Sequence, residues 1–195
     1  ATAVKEPVPH VEGPLPATIA IGVETTGLRG WSDHLLTVGI VDGDGAEVAS
    51  FKICPPPQCY EWPEAEEVNG IAPADTVTWP AIEDVRPELQ RILDAAEVVI
   101  GYNVGLDIEF LRAAGIALPD CDYVDVMAMF APVFGLRDDY HGGYRWQRLA
   151  TAAAYVGHDW DAEGAHNALA DCRATLAVLR WLEEHEGEEV DRREQ

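Results

Sequence analysis

Thr18-Ile19-Ala20-Ile21-Gly22-Val23-Glu24-Thr25-Thr26-Gly27-Leu28 carries an apolar run straight into a polar, glycine-containing corner. The run is short and rich in branched side chains, so it reads as a buried strand rather than a helix. The corner then sets Glu24, Thr25 and Thr26 at a strand end, where α/β folds gather ligand-binding groups. Working outward, residues 35–41 form a second apolar run rich in Val and Ile, and Asp42-Gly43-Asp44-Gly45 is a hairpin turn into residues 48–53. Three antiparallel strands are predicted.

The rest of the chain changes period. Residues 64–68 followed by Asn69-Gly70 predict a short helix with a left-handed stop. Ile82, Val85, Leu89, Ile92 and Leu93 make a helical stripe, in which Pro87 either kinks the helix or sits in its first turn. Val98-Val99-Ile100 is a buried strand running into Asn103 and Asp107, with Ile108, Leu111 and Ala114 continuing as a helix. A short strand at Tyr123-Val124 precedes helices near residues 126–134, 147–156 and 167–185. A meander followed by alternating helices and strands predicts an α/β fold: a mixed five-stranded sheet, three strands antiparallel and the later ones parallel, with helices on both faces.

Residues 1–16, with Pro7, Pro9, Pro14 and Pro16, read as a proline-rich extended lead-in or linker, and residues 17–185 as one domain. Residues 186–195 are an acidic tail expected to fray. A length of 195 residues with 48% hydrophobic content suits a single domain with its own core. There is no apolar run long enough to span a bilayer and no signal-peptide pattern at the first residues, so the chain reads as cytoplasmic, with no membrane partner. Cys54, Cys59, Cys121 and Cys172 lack zinc-type double spacing and read as reduced thiols, a Cys54–Cys59 clip being the lesser alternative.

The formal charge is −22, from 35 acidic against 13 basic residues. Binding to nucleic-acid phosphates draws on Lys and Arg. Either bound divalent cations and a small basic patch supply the local attraction, or the chain does not grip long nucleic acid by itself. Both readings imply weak affinity for long duplexes.

Several residues have the chemistry of a phosphodiester hydrolase. Two divalent ions about 3.5–4 Å apart can activate water and neutralise charge at the phosphoryl group, and hard ions prefer carboxylate oxygens. Glu24 ends a strand, Asp107 opens a helix, and Asp171 lies on a helix whose remaining circumference is largely apolar, where an unpaired charge is costly. A solvated carboxylate, or an ion pair with Arg173 or Arg180, is the structural alternative for Asp171. His166 precedes Asp171 by five residues, about 140° around an ideal helix, which places it in the loop or first turn before that helix. An imidazole there suits a general base. Asn103 reads as a cap or brace for the turn before Asp107. The aromatics of Tyr144-Arg145-Trp146 and of Trp160 read as packing rather than as base platforms.

Taken in order, Glu24-Thr25-Thr26-Gly27, Asn103 with Asp107, and His166 with Asp171 resemble the motifs of the DEDDh 3′–5′ exonucleases, a superfamily with a ribonuclease H-like fold. The resemblance spans roughly residues 18–182 and extends through Val68-Asn69-Gly70-Ile71. It implies that Glu24, Asp107 and Asp171 hold Mg²⁺ or Mn²⁺, two ions in an active member, with His166 as general base. It further implies that Thr25, Thr26, Gly27 and Leu28 hold the 3′-terminal nucleotide of single-stranded or frayed DNA or RNA, with Asn103 a secondary contact. The proline-rich lead-in is the expected join to any larger assembly.

The chain departs from the family at one position. The first motif of the superfamily begins with an Asp that bridges both ions, and Gly22 stands there instead. Asp33, Asp42 and Asp44 lie too far along the chain to replace it by a register slip. Impaired activity is the expectation. The alternative is a catalytically silent module that binds nucleic-acid ends or a protein partner.

Overall fold

The computed structural model describes residues 4–160 and 164–187. Strands β1 (Thr18–Thr25), β2 (Leu35–Asp42) and β3 (Glu47–Lys52) form the antiparallel meander. Strands β4 (Val98–Gly101) and β5 (Asp122–Asp125) add parallel to β1 on its other side. The order across the sheet is β3-β2-β1-β4-β5, the mixed α/β architecture that the change of period predicts.

Six helices accompany the sheet among the described residues: α1 (Pro63–Asn69), α2 (Ile82–Asp94), α3 (Val104–Ala113), α4 (Val126–Phe134), α5 (Leu149–Tyr155) and α6 (Ala168–Glu184). None is long and apolar enough to cross a membrane. Alternation along β1 sorts its side chains between two cores. Ile19, Ile21 and Val23 face a layer that contains Val85, Leu89 and Ile92 of α2 and Phe110 and Leu111 of α3. Ala20 faces the layer of Phe130 from α4, Ala152 from α5, and Leu169, Cys172 and Leu176 from α6. On the outer side of that second layer, Phe130, Phe134, Tyr155 and Trp181 form a chain of tilted and edge-to-face rings.

Helix ends follow their sequence signals. Gly70 closes α1 with φ 71°, and its N–H donates to the Glu66 carbonyl. Asp125 caps α4 by accepting from Met127 and Ala128, and Asn167 caps α6 by accepting from Leu169 and Ala170. Pro87 lies inside α2, past the first turn, on its exposed face. A 3₁₀ turn over Pro73–Thr78 has only Thr76 buried, and so offers no apolar period by which to foresee it.

Residues 4–16 run extended over α2. The Val11 N–H donates to Glu88 at 2.8 Å, Arg91 donates to the Val11 carbonyl at 2.6 Å, and Val8, Val11 and Leu15 pack on the first core. All four cysteines are free thiols. Most of the acidic tail, from residue 188 onward, and Asp161 beside Trp160 lie outside the described residues.

Candidate active site

The cleft is built around a missing side chain. Gly22 and Gly39 are cross-strand partners on β1 and β2, and the first turn of α6 lies directly on them. A Cβ on Gly39 would fall 2.8 Å from the backbone of Ala168 and Leu169, closer than real contacts allow. A Cβ on Gly22 would stand 3.0 Å from the Ala168 carbonyl oxygen and 3.3 Å from Cys172 Sγ. Two glycines without side chains thus let a helix rich in alanine sit close on the sheet. The position that carries a bridging carboxylate in the motif is here occupied by the closeness of α6.

Two residues on, the same alternation turns Glu24 toward α6, into a cavity of about 710 Å³ that Asp107, His166 and Asp171 also line. Burial, then the charges of Asp171 and Asp107, push the Glu24 carboxyl up to about 8. Asp107, in the first turn of α3, is 7% exposed. Burial raises its carboxyl well above the usual range, while its own and the Val23 backbone N–H groups oppose the rise. Asp171 is raised chiefly by burial, opposed by the His166 backbone N–H, which donates to Asp171 Oδ1 at 3.1 Å. That bond requires the left-handed backbone of His166 (φ 65°), which leaves its imidazole exposed at the cavity edge.

Thr25, Thr26, Gly27 and Leu28 form one wall of the cavity. Thr26 locks the turn: its N–H donates to the His34 carbonyl and its Oγ1 accepts from the His34 N–H, each at 2.9 Å. The Asp33 carboxylate packs against Gly27, so a larger residue there would have to displace that side chain. Asn69 of α1 donates to the Thr25 carbonyl at 3.2 Å and fixes the end of β1. Leu28 is 80% exposed and free to lie against a ligand.

Asn103 is placed apart from the others. It is the residue before α3, in a left-handed conformation with φ 63°, and its side chain makes no capping bond. Its N–H donates to Asp125 Oδ1 at 3.0 Å, so it braces the turn by its backbone, and it does not line the cavity. Sequence reading passed over Arg29, Trp62 and Tyr102, all of which do. Arg29 had a signal: it is the sole arginine among the first 50 residues and adjoins the motif.

Glu24 and Asp107, whose proton affinity burial and the Asp171 charge both raise, form with Asp171 a donor set suited to a hard divalent cation. Among the described residues, as they stand, no three His, Cys, Asp or Glu groups converge tightly enough to hold a metal ion. The donor chemistry fits a hard cation.

A pH effect on stability follows. Between about 4.5 and about 8 the folded chain keeps a Glu24 proton that the unfolded chain has released. This contribution is full below the lower value and is lost as pH rises through the upper one. With a chelator present, the melting temperature is expected to fall by on the order of 5 °C from about pH 6 to about pH 9. Glu24→Gln should show a clearly smaller fall in thermal melts; an equal fall would mean that Glu24 is not the group responsible.

Residues 19–179 match the exonuclease family RNase T. The chain belongs to that family. Among relatives of the exonuclease domain, the uncharacterized exonuclease CP81 of Escherichia phage 186 is 27% identical over 175 residues, covering 84% of this chain and 87% of that protein. The DNA polymerase III subunit epsilon of Treponema pallidum is 27% identical over 177 residues, covering 87% of this chain and 77% of that protein. The zinc-bound form of an E. coli exonuclease I–single-stranded DNA complex superposes with a TM-score of 0.68 at 16% identity, over 90% of this chain. That structure confirms the ribonuclease H-like fold. The exonuclease domain spans 42% of the length of that exonuclease I chain.

Proposed function

We propose that the chain is a 3′–5′ exonuclease domain that removes nucleotides from single-stranded or frayed 3′ ends of DNA or RNA, with its rate lowered by Gly22. The observation that carries this reading is the meeting of Glu24, Asp107, Asp171 and His166 in one cavity beside the Thr25–Leu28 turn.

Each group has a part. Glu24, Asp107 and Asp171 would hold Mg²⁺ or Mn²⁺; burial, and then the charges of Asp171 and Asp107, raise the Glu24 carboxyl, and a cation would offset both. When bound, the cation neutralises negative charge developing on the phosphodiester oxygens. The Thr25–Leu28 wall orients the terminal nucleotide, Leu28 lying on its base. The His166 imidazole accepts a proton from the water whose oxygen attacks phosphorus. The bond from phosphorus to the 3′ oxygen of the preceding nucleotide breaks, and that oxygen takes up a proton. The exposure of the imidazole lets it return the first proton to solvent.

Titration with Mn²⁺ in a calorimeter tests the site. One weak binding event is expected near pH 8, and Asp107→Asn should abolish it without loss of fold, because Asn mimics the protonated acid that burial already favours. Binding that survives Asp107→Asn places the ion elsewhere. A purely structural acidic interaction domain predicts no binding event at this site.

A further inference from the structure

The segment between α4 and α5 is unlike the rest of the chain. Residues 136–148 hold Arg137, Arg145 and Arg148, three of the 13 basic residues in a chain of net charge −22, interleaved with Tyr140, Tyr144 and Trp146. The sequence reading assigned the Tyr144-Arg145-Trp146 aromatics to packing. The structure overturns this for Trp146, which is 70% exposed, and Tyr140 beyond it is 90% exposed.

The segment is nevertheless ordered as a small hairpin. Arg137 and Tyr144 are bridge partners, the Arg145 N–H donates to the Leu136 carbonyl at 2.8 Å, and the Asp138 N–H donates to the Gly143 carbonyl at 3.2 Å. Asp138 Oδ1 accepts from the Tyr140 and His141 N–H groups at 3.1 Å each, and Gly142 and Gly143 supply the positive φ values of the turn. The Arg137 guanidinium lies over the Tyr144 ring, 5.8 Å being the comparable separation of Arg29 from Trp31 and 5.4 Å the value here. Held in this way, the hairpin keeps Trp146 and Arg145 outward without a hydrophobic core of its own. It is also tied to the cleft. Tyr102 donates its hydroxyl to the Gln147 carbonyl at 2.8 Å, and Tyr102 and Leu149 both line the cavity of Glu24 and Asp171.

We propose that the hairpin of residues 136–148 is a binding platform for the single strand that enters the cleft, upstream of its terminal nucleotide. Trp146 and Tyr140 stack on bases, and Arg145 and Arg148 pair with phosphates. Exposed aromatics beside arginines are the combination that grips single strands without regard to sequence. In a chain this acidic, local positive charge is needed for a polyanion to approach. The proposal rests on the exonuclease reading above and deepens it.

The test compares the unaltered chain with Trp146→Ala, Trp146→Phe and Arg145→Ala, using 5′-fluorescent oligothymidylates of about 3 and about 12 nucleotides and reading anisotropy. For the longer strand, Trp146→Ala is expected to weaken binding about 10-fold and Trp146→Phe to restore most of it. Arg145→Ala should lower the salt dependence of log affinity by about one. The shorter strand should bind all four proteins alike, and their melting temperatures should agree, because Trp146 is exposed. Unchanged binding of the longer strand in Trp146→Ala and Arg145→Ala overturns the platform and leaves the exonuclease reading intact. An unaltered chain that binds neither strand overturns both.

Discussion

Gly22→Asp combined with Cys172→Ala is expected to raise Mn²⁺-dependent release of mononucleotides from a single strand by on the order of 10²-fold or more over the unaltered chain. The aspartate supplies the carboxylate that the first motif lacks, on the face of β1 that already carries Glu24. Geometry explains why the second change is needed. The new Cβ would stand 3.3 Å from Cys172 Sγ and 3.0 Å from the Ala168 carbonyl oxygen, so α6 must yield by a few tenths of an ångström. Removing the sulfur frees one of these contacts. Cys172 gives only a weak Sγ bond to the Gly39 carbonyl, 3.5 Å long, so its loss costs little there. Gly22→Asp alone should therefore gain less than the pair, and Cys172→Ala alone should gain nothing. A pair that folds, binds Mn²⁺ and is as inactive as the unaltered chain would refute the role assigned to Gly22.

The second large effect belongs to His166 and is measured in that active background. His166→Ala is expected to lower the rate by roughly 10²–10⁴-fold while leaving cation and oligonucleotide affinity nearly unchanged, because proton transfer matters in the transition state and little in ground-state binding. Free imidazole added to the His166→Ala protein should restore part of the rate. The bond that positions this residue runs from its backbone N–H to Asp171 Oδ1, which an alanine can also make. A loss of affinity or thermal stability with no rescue by imidazole would show instead that the side chain only braces the loop. An unchanged rate would remove the base assignment.

Much of this architecture is legible in the sequence, for reasons that can be named. The strands are short apolar runs bounded by turn residues, as at residues 18–23 and 98–100, and the stripe of Ile82, Val85, Leu89, Ile92 and Leu93 marks α2, while Gly70 marks the end of α1. Glu24, Asp107, His166 and Asp171 were accessible because each departs from the polarity of its own element or stands at its boundary. Other features depend on contacts between distant segments. Nothing local in Gly39 tells that its missing side chain, with that of Gly22, seats α6. Asn103 reads as a cap or a brace, and only its left-handed backbone, which places its N–H on Asp125, tells that it is a brace whose side chain caps nothing. Trp146 reads as packing rather than as a base platform because tryptophan is usually well covered. Its exposure depends on the hairpin in which Arg137 pairs with Tyr144, a contact that no apolar period announces.

The most direct test of the account follows the label. Single strands tagged on the terminal nucleotide at either the 3′ or the 5′ end are incubated with Mn²⁺ and the Gly22→Asp, Cys172→Ala protein. The account predicts that the 3′ tag appears as a mononucleotide from the first time point, while the 5′-tagged strand shortens one nucleotide at a time. Early release of the 5′ tag as a mononucleotide, or internal fragments from either strand, would contradict it.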